Sequence, residues 1–359
     1  MPSITLEDVA RAAGVSLSTA SRVLSGTAKV SAERHAAVTR AATELGYQPN
    51  AIARSLASGR SMLIGVITQE ISSPFYGEAL LGIERGLEGS GYHAIFASGH
   101  WQADIEHAAL DGLLGRPVDG LILLGGQTPD AVLRALAARL PLITVGRSIQ
   151  GLEHHCMRVD NVAGGYECTR HLLERGHRAI AYIAGPESHR DARDRLHGHQ
   201  QALRDWNVTG HPALFTQGDF QETSGLMAVE SLFTRGEPFT AIVAANDQMA
   251  YGARLALYRR GIRVPDDVSL IGYDDLHSSA FCTPPLTTVR QPMYEMGFAA
   301  AEGILAALAG TPLPAPEFAV QLVTRESTTL LRRTPRPATT EDPDPATRPA
   351  PAAGSAPMT

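Results

Sequence analysis

The chain has 359 residues, 44% of them apolar and 19% charged, with a net charge of −6. At roughly 150 residues per domain, that length predicts two or three units with enough apolar residues for packed cores. No apolar run approaches the ~20 residues of a membrane span, and a helical pattern begins almost at Met1, so a membrane span and an export signal are not expected.

The first pattern in chain order is TLEDVARAAGVSLSTASRVL, residues 5–24. Leu6, Val9 and Ala10 share one helical face, and Thr5 can cap the first N–H groups. Gly14 can take the positive φ that ends a helix, and Ser16 can cap a second helix with Ala20, Val23 and Leu24 inward. Leu17, Ser18, Ser21 and Arg22 then face outward. Small residues inside and short polar ones outside suit a helix laid in a DNA major groove, so this segment predicts a helix-turn-helix. Ser31 opens a third helix, with Val38, Ala41, Ala42 and Leu45 as its apolar stripe and Gly46 as its stop. Pro49 bars any earlier helix from continuing, and Asn50 can cap a two-turn helix ending before Ser58-Gly59. So short a helix needs a partner to stay folded.

Charge divides unevenly. Residues 1–60 carry seven cations against four anions, a net of +3, which leaves −9 for the remainder. A basic head on an acidic body fits one phosphate-facing end, although a balance of +3 is also an ordinary solvated surface.

Beyond residue 60, apolar runs alternate with helical stretches. LIGVI (63–67), AIFA (94–97), GLILL (120–124) and LITV (142–145) read as parallel strands buried on both faces, with helices such as 75–88 and 130–138 between them. A second series begins near Asp160, with AIAYIAG (179–185), TAIVAA (240–245) and VSLIGY (268–273) as strands. Two βαβ series predict two doubly wound parallel-sheet lobes with a cleft between them. From Arg332 the Pro/Ala/Thr-rich composition predicts a disordered tail over 332–359.

The order of these motifs resembles the LacI/GalR family of bacterial repressors. The resemblance runs through TLEDVARAAGVSLSTASRVLSG, VSAERHAAVTRAATELGYQPNAIARSLASG, VDGLILLGG, LLERGHRAIAYIAGP, ANDQMAYGA, VPDDVSLIGYDD and PPLTTVRQP, to about residue 331. Several motifs in family order are specific in a way that a lone helix-turn-helix is not. The resemblance implies a small all-α helix-turn-helix head (1–48), a hinge helix and linker (49–60) and an α/β body (61–331) like that of periplasmic binding proteins. Its first lobe would span about 61–160 plus 291–319, and its second about 161–290 plus 320–331.

Function follows from the same resemblance as an expectation. The second helix would read bases through Leu17, Ser18 and Arg22, with Thr5, Ser16 and Ser21 beside them. Arg22 could bind a guanine or a phosphate. Asn50, Ala53 and Leu56 would belong to a hinge helix that folds against its dimer partner in the minor groove, Leu56 wedging into a base step. A homodimer on a near-palindromic double-stranded DNA operator follows. In the cleft, Arg195, Asp274, Phe220 and Asn246 match the family's effector contacts from one lobe, and Ser73, Phe75 and Arg147 from the other. An arginine, a carboxylate and a flat ring suit a sugar. Plainer roles stand beside these: Arg195 as a solvated helix charge, Asp274 as a cap, Phe75 as core.

The expected protein is thus a cytoplasmic, sugar-controlled repressor of carbohydrate-use genes, with no cofactor, metal or membrane partner. The alternatives are a purine- or metabolite-responsive corepressor-type regulator, or a sugar-binding protein without DNA function. Enzymatic motifs are wanting: no GxSxG, P-loop or HExxH occurs, and His189-Arg190-Asp191 lacks the glycine-rich loop of a kinase. His154-His155-Cys156 lacks a third ligand at useful spacing. Cys156, Cys168 and Cys282 are odd in number and scattered, and are expected as small buried or half-buried residues.

Overall fold

The computed structural model describes residues 4–24, 30–47, 59–311 and 318–331, and these fall into two compact units. Of these residues, 4–24, 30–47, 59–69, 87–142 and 304–311 form the first and 70–86, 143–303 and 318–331 the second.

The head of the first unit is three helices, α1 (Leu6–Ala12), α2 (Leu17–Leu24) and α3 (Ala32–Leu45). Their boundaries are set locally. Thr5 and Asp8 form a reciprocal capping box at the start of α1. Ser31 caps α3, and Gly46, at φ +64°, closes it with Tyr47 N donating to the Ala42 carbonyl at 2.9 Å. Val9, Ala10, Ala20, Val23, Val38 and Ala41 are buried together, as the apolar spacing requires. So small a core consists mainly of alanine and valine, which lets the helices approach closely.

In the rest of this unit β1 (Leu63–Thr68) lies between β2 (His93–Ser98) and β3 (Gly120–Leu124), parallel to both. Asp119 anchors the start of β1 by accepting from Ser61 N and Met62 N at 3.0 and 2.9 Å. The next two helices are α4 (Pro74–Leu87), which lies mostly in the second unit, and α5 (Ala103–Leu114), which packs on β1 and β2. α6 (Asp130–Ala137) follows β3. One expectation needs correcting. β2 is not buried on both faces: it is half-exposed along its length, with Phe96 40% accessible.

The second unit begins its strands with β4 (Leu142–Val145), parallel to the two-residue β5 (Cys156–Met157). A four-stranded parallel sheet follows in the order β7-β6-β8-β9, from β6 (Ile180–Ala184), β7 (Phe215–Gln217), β8 (Ala241–Ala244) and β9 (Ser269–Ile271). Four helices serve this sheet: α7 (Asn161–Glu174), α8 (Arg190–Asp205), α9 (Glu222–Arg235) and α10 (Asp247–Arg259). An antiparallel pair, β10 (Thr288–Arg290) with β11 (Gln321–Val323), and the helix α11 (Met293–Ala309) complete the described chain.

Glycines fix how the helices of this unit pair. A Cβ at Gly165 on α7 would stand 2.2 Å from the Arg195 carbonyl, and one at Gly198 on α8 would stand 2.0 Å from the Val162 carbonyl. The contact is reciprocal: each helix contributes one glycine so that the other's backbone can touch it. Neither backbone can give way without moving a whole helix. Gly165→Ala is therefore expected to destabilise the protein by about 1–3 kcal/mol, read as a lowered denaturant midpoint. An unchanged midpoint would contradict this packing.

Candidate functional site

The head presents one coherent outer face. Leu17 is 48% exposed, and Ser18, Ser21 and Arg22 are exposed with it, while Ala20 and Val23 point inward. Ser16 accepts from Thr19 N at 3.3 Å and so caps α2; its hydroxyl also lies 3.0 Å from that of Ser18. Arg22 Nε donates to the Ser18 carbonyl at 3.1 Å. Thr5 is committed to its cap, accepting from Asp8 N and donating to the Asp8 carboxylate at 2.7 Å. These hydrogen bonds from Thr5 hold the Asp8 carboxyl below the usual range. Asn50, Ala53 and Leu56 lie outside the described residues, as does the tail from residue 332.

In the second unit a polar cluster gathers where the parallel strands end. Gly185 follows β6, Phe220 follows β7, Ala245 and Asn246 follow β8, and Tyr273 and Asp274 follow β9. The carboxyl ends of such strands are where open α/β sheets bind ligands. At the centre stands Arg195 on α8, only 4% exposed. Its Nε donates to Asn161 Oδ1 at 2.9 Å, and its Nη1 donates to the Ala245 carbonyl at 2.5 Å. Nη1 also lies 3.5 Å from Asp274 Oδ1, and the guanidinium sits 3.8 Å over the Tyr273 ring. Nη2 has no partner among the described residues. The reading of Arg195 as a solvated helix charge is thus excluded.

Asp274 is equally confined, 7% exposed, and accepts from Gln291 Nε2 at 2.7 Å on the same Oδ1 that faces Arg195. Its Oδ2 has no partner among the described residues. Burial pushes its carboxyl up to about 6, against the pull of Arg195 and Gln291. Burial likewise opposes the charge of Arg195, but Asp274 and the other acidic groups around it outweigh that and raise its pKa. Asp274 holds φ at +113°, a conformation that costs a non-glycine residue on the order of 1–3 kcal/mol.

The strained turn is held from below by a residue that the sequence reading passed over. Asp247, wholly buried at the start of α10, accepts from Leu276 N at 2.9 Å and from Ser279 Oγ and Thr288 Oγ1 at 2.6 Å each. Arg325 adds a second tether, pairing with Asp275 at 2.6 Å. The roles of Asn161 and Gln291 were also missed, although Asn161 follows Asp160 and Gln291 lies within the PPLTTVRQP motif.

The remaining candidates divide. Phe220, at φ +71°, sets its ring 5.8 Å from the Arg195 guanidinium and 5.5 Å from His189. Both ends of the Asn246 amide are engaged within the protein: Oδ1 caps α10 at Met249 N and Nδ2 donates to the Phe220 carbonyl, each at 2.9 Å. Asn246 therefore orients Phe220. Phe75 is half-buried and lines a cavity of about 280 Å³ together with Asp274, Gln291, Met293 and Tyr294. Ser73 and Arg147 are half-buried and make no hydrogen bond or ion pair with Arg195 or Asp274. Among the described residues no cluster of three His, Cys, Asp or Glu side chains could hold a metal, and no helix is long and apolar enough to cross a membrane.

A helix-turn-helix head and a parallel-sheet body with a buried, half-satisfied arginine at its strand ends define a ligand-binding regulatory protein. The family of bacterial regulatory proteins named for lacI matches residues 5–50, and the periplasmic binding protein-like domain matches residues 169–328. The chain belongs to the LacI family; it is a DNA-binding transcriptional regulator and not an enzyme. The transcriptional regulator GalR of Salmonella typhimurium is 38% identical over 328 residues, which cover 90% of this chain and 95% of that one. The repressor CytR of Escherichia coli is 35% identical, covering 82% of this chain and 86% of its own. Among solved structures, the lac repressor dimer bound to operator and the anti-inducer ONPF superposes with a TM-score of 0.82 at 31% identity, covering 91% of this chain and 99% of that one. The regulator CelR in complex with cellobiose gives 0.67 at 35% identity, covering 90% and 99%.

Asp247 carries a consequence for stability. Burial, reinforced by Asp274, raises its carboxyl from 3.8 to about 7. A raised acid pKa means that the folded state holds the proton more tightly than the unfolded chain. The stability it contributes is complete below 3.8 and is lost as pH climbs through about 7. Urea midpoints are expected to fall between about pH 5 and pH 8 in the native sequence and to fall distinctly less in Asp247→Asn. Equal slopes would show that Asp247 is not the group titrating.

Proposed function

We propose that the protein is a repressor of carbohydrate-use genes that acts in the cytoplasm and is controlled by a sugar bound at Arg195 and Asp274. One observation carries the sugar reading. Arg195 Nη2 and Asp274 Oδ2 are the unpaired atoms of two side chains already buried and fixed by other partners. Neither atom is sealed from solvent, so both are open to a ligand. A hydroxyl-rich ligand matches the two atoms, because one hydroxyl accepts from the guanidinium while another donates to the carboxylate. The Phe220 ring offers a flat face to the C–H side of a sugar, and CelR was solved with cellobiose.

Operator binding falls to α2, with Arg22 reading a base and Leu17 giving apolar contact. A second copy of the chain supplies the other half-site on a near-palindromic operator, as in the lac repressor dimer. Support for a dimer comes from α9, α10 and the turn after Leu276, which leave Met227, Tyr258 and Phe281 60%, 78% and 73% exposed. A second copy seated there would take these apolar side chains out of water. We also take the body as two lobes, about 61–160 with 291–319 and 161–290 with 320–331. The sugar controls DNA affinity only through its unequal affinity for the DNA-competent and DNA-incompetent arrangements of the protein.

The experiment is a fluorescence-anisotropy titration of an operator selected from random DNA. Arg22→Ala is expected to lose roughly tenfold or more of its discrimination against mutated operators, the worth of one bidentate base contact. Arg195→Ala is expected to bind the operator normally and to ignore the sugar that shifts the unmodified protein. If Arg22→Ala weakens all DNA alike, the base-reading role is wrong. If Arg195→Ala still responds, the effector site lies elsewhere.

A further inference from the structure

The second unit holds another cavity, of about 310 Å³, beside β7, the edge strand of the four-stranded sheet. It reaches Ile180 and Phe215, the first residues of β6 and β7, so it sits toward the amino ends of strands whose carboxyl ends meet Arg195. Its walls are largely apolar. Leu203 and Leu214 contribute, as do the rings of Tyr182 and Phe215, which lie 9° from parallel with centroids 6.3 Å apart. No acid, lysine or arginine is among the described residues that line it. Nearby, Arg235 on α9 is committed to the carbonyls of Ala213 and Phe215, at 3.3 and 2.5 Å. At the exposed rim stand Gln200 and His211, whose Nδ1 accepts from Ala213 N at 3.3 Å.

His199 on α8 supplies the one buried polar group of the wall. It is 5% exposed, and its ring centroid lies 4.5 Å from that of Tyr182. Thr169 on α7 donates its only hydroxyl proton to the Gly165 carbonyl at 3.1 Å, so it accepts from His199 Nδ1 at 2.8 Å. Burial lowers the pKa of His199 to about 3. The ring is therefore neutral with its single proton on Nδ1, and Nε2 is a bare acceptor. Nε2 has no partner among the described residues and is not sealed from solvent. The Tyr182 hydroxyl, by contrast, is sealed, so Tyr182 offers the cavity only its ring.

We propose that this cavity is a second ligand site, which takes a small neutral aromatic compound carrying one N–H or O–H donor, such as an indole or a phenol. Ligand sites run from roughly 300 to 1,000 Å³, so a cavity at the bottom of that range holds one or two rings. Apolar walls would leave most hydroxyls of a sugar unmet, and a charged ligand would find no counter-charge there. A flat ring instead gains contact area against Tyr182 and Phe215. The donor is required because His199 Nε2 can only accept. A ring without one would cover that atom and leave it unpaired.

The test is isothermal titration calorimetry on the full-length protein with indole, 3-methylindole and N-methylindole. The two methylated probes have equal bulk, and only the first keeps its N–H. Indole and 3-methylindole are expected to bind, and N-methylindole to bind roughly tenfold more weakly than 3-methylindole. His199→Phe keeps a flat ring without the acceptor and is expected to bring the two methylindoles within about twofold of each other. Gln200→Trp fills the cavity mouth from an exposed position and is expected to abolish binding of all three; an unchanged melting temperature verifies that its fold is intact. Equal affinity of the two methylindoles for the unmodified protein overturns the proposal. So does indole binding that survives Gln200→Trp, which places the ligand elsewhere, and so does a protein that takes none of the three probes.

Discussion

The structure of the second unit turns on one guanidinium that water cannot fully solvate. Taking an arginine side chain out of water costs several kcal/mol unless its donors are met. Here three separate elements meet them in part: α7 through Asn161, the end of β8 through the Ala245 carbonyl, and the end of β9 through Asp274 and the ring of Tyr273. Because these partners come from three different elements, Arg195 measures their relative positions. A ligand that completes the arginine's hydrogen bonds therefore acts on these three elements and on α8 at once, as an effector must.

The packing beneath shows how the chain keeps that arginine in place. Gly165 lets α7 press against the backbone of Arg195 itself, so the same contact that joins α7 to α8 sets the height of the guanidinium. On the other side, Asp247 and Arg325 hold the turn that presents Asp274 in a backbone conformation it would not adopt freely. Strain at Asp274 is thus balanced by three hydrogen bonds to a single buried carboxylate. Rigid support of this kind keeps two opposite charges close without letting them collapse into a fully satisfied pair. Some capacity is left for a ligand.

Much of this was legible in the sequence, and what was not has a physical reason. The head announces itself because its stops are local: Thr5, Gly14, Ser31 and Gly46 act on their own helices and need no tertiary partner. GLILL and LITV match their strands to the residue because both are buried and continuous. β2 carries a similar apolar run yet stays half-exposed, since composition cannot tell how completely a strand will be covered. β5, β7, β10 and β11, of two or three residues each, are too short to leave a periodicity. Arg195 and Asp274 could be singled out only through the family resemblance. The roles of Asn161, Gln291 and Asp247 arise from contacts across 34, 17 and up to 41 positions of chain, which no local pattern encodes.

The central claim is that Arg195 and Asp274 together form a ligand site and are not merely a buried ion pair. The most direct measurement is a thermal-shift titration of the unmodified protein, Arg195→Ala and Asp274→Ala with neutral mono- and disaccharides and with purine bases. A sugar at about 100 times its dissociation constant should add roughly 2.7 kcal/mol to the native state. The account expects one such sugar to raise the melting temperature of the unmodified protein and to leave both variants unmoved. A shift that persists in both variants, or one produced by purines alone, would contradict it.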